Sequence, residues 1–93
     1  MLNGHPVMIV GQSGSKLLGV EMTHSKNRGQ SKNVKFFHNP NPFDKEDNYW
    51  EQRCIELKPE KVLDYSIWKL SAADEAKLNE KLSKNSSMMK YFQ

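Results

Sequence analysis

Thr23-His24-Ser25 sets two hydroxyls and an imidazole side by side, and Lys26, Arg28, Lys32 and Lys35 follow in a stretch to His38 that holds no carboxylate. Groups of these kinds suit the cleavage of RNA through its own 2′-hydroxyl. That reaction needs a base near the hydroxyl, cationic or hydrogen-bonding groups for the charged phosphorane, and an acid for the leaving oxygen. It requires no metal. Taken singly, Thr23 reads as a strand-end residue bonding the backbone and His24 as a solvated polar side chain. The four cations alone read as a solvated loop that keeps a protein soluble. Only in combination do they point to a polyanion.

The charge balance agrees with that placement. The net charge of +3 conceals two unlike halves: residues 1–45 carry six Lys/Arg against two acids, and the remainder carries eight against nine. Other chemistries find little footing. Cys54 is the only cysteine, so no disulfide and no cysteine-based zinc site can form within one chain. It sits in a strand-like alternation, Arg53-Cys54-Ile55-Glu56-Leu57, as a small buried side chain. His5, His24 and His38 are dispersed and lack a ligand pattern, so neither a metal nor another cofactor is expected. Gly11-Gln12-Ser13-Gly14-Ser15-Lys16 lacks the spacing of a phosphate-binding loop and reads as a hairpin turn.

The elements that must hold these groups follow from the apolar pattern. With 93 residues, 37% hydrophobic and 27% charged, the chain has the composition of a single globular domain. Pro6 to Val10, a turn, and Lys16 to Thr23 with Leu18, Val20 and Met22 on one side predict a β-hairpin, with Gly19 as a place for a bend or bulge. Ser25 to Asn33 has no large apolar residue and Gly29 at its centre, which predicts an exposed loop. Val34 to Phe37 resumes a strand, and Asn39-Pro40-Asn41-Pro42 ends it in a long irregular segment reaching about Asn48. Trp50 to Leu57 contains a strand around Cys54, Ile55 and Leu57, and Val62-Leu63 and Tyr65 to Leu70 supply more strand-forming residues. Ser71-Ala72-Ala73-Asp74 opens a helix with a hydroxyl cap and early acids, with Leu78 and Leu82 on one face, running to about Lys84. The fold class is mainly β (α+β), a small barrel of about five strands with a C-terminal helix. Residues 1–84 form the domain and 85–93 a tail in which Met88 to Phe92 is apolar.

The order of these elements resembles the PemK/MazF toxins. Gly4-His5-Pro6-Val7-Met8-Ile9-Val10, the turn, and Val20-Glu21-Met22-Thr23-His24-Ser25 look like that family's first strands, Asn33-Val34-Lys35-Phe36 like its next, and Glu51-Gln52-Arg53 like its Asp-Gln. The Leu70 to Leu82 segment looks like its closing helix, so the resemblance spans residues 4–82, with a longer loop from Asn39 to Tyr49. It implies an SH3-like barrel, often a homodimer, that cuts single-stranded RNA without metal and is neutralised by an antitoxin protein. Thr23 matches the catalytic hydroxyl position and Ser25 falls near the second. His5 stands where the family usually has a catalytic arginine, so either His5 substitutes as acid or base, or Arg28 supplies the missing charge, or the activity is lost. Thr23, His5, Ser25 and His24 are the candidate catalytic residues, and Lys26, Arg28, Lys32 and Lys35 the candidate backbone contacts.

Two alternatives share the same residues. A non-catalytic barrel would bind nucleic acid or a protein partner through the same loop, with Phe36, Phe37, Tyr49 and Trp50 as stacking surfaces. A phage or mobile-element accessory protein would use the tail or the proline-rich loop. No apolar run approaches the roughly 18 residues of a membrane span, and Met1 to Val10 lacks a signal peptide's pattern, so no membrane partner and a cytoplasmic location are expected.

Overall fold

The computed structural model describes residues 6–61 and 68–84. Their elements follow the order β1 (Val7–Ser13), β2 (Lys16–Thr23), β3 (Asn27–Arg28), β4 (Ser31–Lys32), β5 (Val34–Lys35), β6 (Tyr49–Trp50), β7 (Ile55–Leu57), a 3-10 turn (Pro59–Lys61) and α1 (Ala72–Lys84). His5, the Met88 to Phe92 tail and positions 62–67 of the last expected strands lie outside the described residues. Trp68 to Leu70 take no regular structure.

β2 is the spine. Its one edge pairs with β1 along an antiparallel hairpin, and its other edge carries β6 beside Met22-Thr23 and β7 beside Leu17 to Gly19. β5 pairs with β6, which gives an antiparallel sheet of five strands in the order β1-β2-β6-β5 with β7 on β2. The class expected from the sequence is thus the one observed, although the described strands do not close into a barrel.

Gly14-Ser15 closes the first hairpin, and Gly14 at φ 61° supplies the left-handed geometry of a two-residue hairpin turn. β1 outlasts the apolar run because Gly11, Gln12 and Ser13 pair with Leu18, Leu17 and Lys16 instead of turning. The register shifts between Ile9 and Gly11, so the irregularity lies on the strand facing Gly19, not at Gly19 itself. Gly19 serves packing. A methyl group there would overlap Val7 Cγ1 and sit 3.2 Å from Leu57 Cδ1, so the bare backbone lets both neighbours close in.

Alternation along β2 turns Leu18, Val20 and Met22 inward, and all three are buried. Val20 and Met22 pack with Phe36, Trp50 and Leu78, while Met8, Val10, Cys54, Leu70 and Leu82 flank them half-buried. α1 closes this core. Ser71 Oγ accepts the amide of Asp74 at 3.1 Å, the cap its sequence predicts.

The strand expected around Cys54, Ile55 and Leu57 is β7, and a separate short strand, β6, precedes it. Glu51 N–H still donates to the Glu21 carbonyl at 3.0 Å, but the chain bends at Gln52-Arg53 before β7 begins. This bend brings the polar residues Glu51, Gln52 and Arg53 to the site described below. No helix among the described residues is long and apolar enough to cross a membrane.

Candidate nucleic-acid interface

The predicted loop after Thr23 is a small hairpin. β3 and β4 pair Asn27 with Lys32 and Arg28 with Ser31 around Gly29-Gln30, with Gly29 at φ 59°. With no apolar side chain to bury, this hairpin depends on polar ties to the body. Asn33 fastens its base: the Asn33 amide donates to the Lys26 carbonyl at 2.9 Å and its side-chain amide to the Ser25 carbonyl at 3.0 Å. Gln52 Nε2 donates to the Lys32 carbonyl at 2.9 Å, tying the hairpin to the interruption between β6 and β7.

Between hairpin and bend lies an open cleft of about 320 Å³ lined by Arg28, Ser31, Lys32, Asn33, Glu51, Gln52 and Arg53. Glu51 Oε1 lies 3.1 Å from Arg28 Nε as an ion pair and accepts a hydrogen bond from Arg53 Nε at 3.3 Å. The Glu51 side chain is only 11% exposed, whereas those of Arg28 and Arg53 are about half exposed, at 54% and 43%. A shielded carboxylate therefore stands between two guanidiniums that reach water. Lys32 makes no ion pair among the described residues. Three cations against one carboxylate leave the cleft positive.

The other predicted residues among those described do not line this cleft. Thr23 is half-buried at the end of β2, opposite Tyr49, and its Oγ1 accepts the Ser25 amide at 3.1 Å. Thr23 and Ser25 are not among the lining residues and connect to the cleft through Asn33. Lys26 is exposed and makes no ion pair among the described residues, while Lys35 Nζ lies 3.5 Å from Asp47 Oδ2. Arg28 and Lys32 are the two predicted cations that the fold brings together.

His24 points elsewhere. Its Nε2 lies 2.7 Å from Asp44 Oδ2 and its Nδ1 3.1 Å from Glu46 Oε2, so the imidazole bridges the strand end to the 39–48 loop. The Asp44 bond raises the His24 pKa above the ordinary value against a smaller desolvation effect, and both carboxylates add attraction. Asp44 is pushed down to about 2, first by His24, then by the Asn48 side-chain amide and the Glu46 amide. Burial pushes the Cys54 thiol up.

Sequence reasoning assigned no role to Glu51, Gln52 or Arg53 beyond a likeness, and none to Asp44 or Glu46. The available signal was a polar triplet inside an apolar strand pattern. No protein-family model, curated protein or solved structure matches the chain.

Proposed function

We propose that the chain binds single-stranded RNA in the Arg28–Arg53 cleft and cleaves it without metal, as the likeness to PemK/MazF toxins implies. The observation that carries the reading is the Glu51 carboxylate held between two guanidiniums. In the resting state the one carboxylate pairs with both guanidiniums, which leaves a net positive charge. A phosphodiester entering the cleft competes for the guanidiniums, which present forked donors suited to phosphate oxygens, and so frees the carboxylate. Glu51 then takes the proton of the ribose 2′-hydroxyl, the 2′-oxygen bonds to phosphorus, and the bond to the 5′-oxygen breaks as that oxygen is protonated from solvent. Arg28, Arg53 and Lys32 offset the charge that builds on the phosphorane. Thr23 and Ser25 contact the chain where it leaves the cleft along β2. A cytoplasmic location, and an antitoxin protein whose acidic side chains meet the same cations, go with this reading.

The test is incubation of a single-stranded RNA with the protein in EDTA, with products examined by mass spectrometry. Fragments ending in a 2′,3′-cyclic phosphate are expected, with no cutting of the matching DNA. Glu51→Gln should slow cleavage by about 10²–10⁴-fold. Thr23→Ala, compared in parallel, reports whether the chemistry extends to the strand end. RNA retained intact supports the binding module instead, and RNA neither retained nor cut removes both.

A further inference from the structure

His24, Asp44 and Glu46 do not line the cleft, and the cleavage scheme built on Glu51 does not use them. We propose that they form a site for a single divalent transition-metal ion, zinc foremost, which pins the 39–48 loop to the end of β2. Their ligand atoms all lie within 4.8 Å of one another. One imidazole nitrogen with two carboxylate oxygens is a donor set for zinc and its neighbours, whereas calcium and magnesium favour oxygen alone. Two carboxylates also carry more charge than one imidazolium offsets, which leaves the cluster suited to a dication.

Two adjustments bring the three ligand atoms onto one ion. Ligands about 2.0–2.2 Å from a tetrahedral zinc stand about 3.4 Å apart. His24 Nε2 and Asp44 Oδ2, now at 2.7 Å, have to spread by less than 1 Å. Glu46 has to swing from the Nδ1 side toward the ion; its side chain is 74% exposed and bonds no cation but His24 among the described residues. Asp44 is already oriented from behind. Its Oδ2 accepts the Asn48 side-chain amide at 2.8 Å and its Oδ1 the Glu46 amide at 3.0 Å. Asn48 is itself buried, and its backbone amide donates to Asn39 Oδ1 at 3.2 Å. Hydrogen bonds of this outer kind fix the aim of metal-ligating carboxylates. Water would complete the coordination, as the exposure of His24 and Glu46 allows.

The experiment is calorimetric titration of the full chain, stripped with chelator and then dialysed free of it, with zinc chloride, and with magnesium chloride as the comparison. One equivalent of zinc is expected to bind and to raise the melting temperature, with magnesium silent. His24→Ala and Asp44→Asn should abolish the zinc heat, and Glu46→Gln should weaken binding about tenfold or more. Glu46→Gln alters an exposed side chain, so it remains informative if the other two variants unfold. His38→Ala should bind as the wild type does. In nitrogen-15 spectra the His24 ring resonances should move with zinc in the wild type. Absence of saturable zinc binding, or zinc binding undiminished in Glu46→Gln with the His24 ring unmoved, overturns the proposal. No RNA is present, so the outcome is independent of the cleavage test.

Discussion

Asp74, in the first turn of α1, accepts the backbone amide of Phe37 at 2.7 Å through Oδ1, and with Oδ2 it accepts the next amide, His38, at 3.0 Å. Ser71 Oγ donates to the same Oδ2 at 2.7 Å. Asp74 is 2% exposed, so a single buried side chain ties the first turn of α1 and its Ser71 cap to the chain just before the proline-rich loop. It joins two parts of the chain 37 residues apart. Asp74→Ala strands two amides and a hydroxyl at once, and the expected loss is about 2–4 kcal/mol in urea denaturation. Asp74→Asn keeps one carbonyl acceptor and should fall between wild type and alanine. A loss below about 0.5 kcal/mol for alanine, the range of ordinary surface changes, would mean the link does not hold the helix.

Gly19 yields a second stability prediction, based on crowding. A methyl group there meets Val7 Cγ1 on one side and Leu57 Cδ1 on the other. Val7 is β-branched and stiff, so relief has to come from backbone movement. Gly19→Ala should cost about 1–3 kcal/mol, and Val7→Ala in the same chain should recover part of that loss. Equal stability of Gly19→Ala and wild type would show that the two strands are less tightly apposed.

The difference between what the residues announced and what they hid lies in the range of the interactions. The Leu18, Val20, Met22 alternation and the Ser71 cap are local patterns, and both appear where the sequence puts them. Phe36 is buried and Phe37 is 64% exposed, a choice between neighbours that the strand period could leave open but the Asp74 bond to the Phe37 amide helps fix. The site was harder to read. Arg28 and Lys32 were visible as part of a charge cluster, but the cleft exists only because residues 51–53 leave the sheet and meet a hairpin that Gln52 reaches across 20 positions. His24 likewise reads as a lone polar residue until the 39–48 loop folds Asp44 and Glu46 onto it.

Cys54 gives a prediction in pH. Its thiol is half-buried against the core, and desolvation disfavours the thiolate, raising the pKa from its ordinary 9.0. The thiolate is the reactive form, and each pH unit below the pKa costs about tenfold in its amount. Alkylation by iodoacetamide, followed by mass spectrometry, should be slower in the native protein than in urea at neutral pH, and the native rate should still be climbing above pH 9. A native thiol that reacts at pH 7 as fast as the unfolded one would contradict the packing.

Lys32 provides the sharpest test of the cleft as an RNA surface, because it needs no catalysis. Arg28 and Arg53 are engaged by Glu51 at rest, whereas Lys32 makes no ion pair among the described residues, so its charge is available to a phosphate from the outset. Each phosphate contact on a single strand contributes about 0.7 to the slope of log affinity against log salt, through counterion release. In fluorescence anisotropy with a labelled single-stranded RNA, Lys32→Ala should lower that slope by about 0.7 and weaken binding alike for different sequences. Lys16 supplies the control: it lies outside the cleft, 3.2 Å from Glu56, and Lys16→Ala should leave the slope unchanged. A slope that falls equally in both variants would indicate attraction to the overall charge of the protein, and one that falls in neither would leave the cleft without a role in holding RNA.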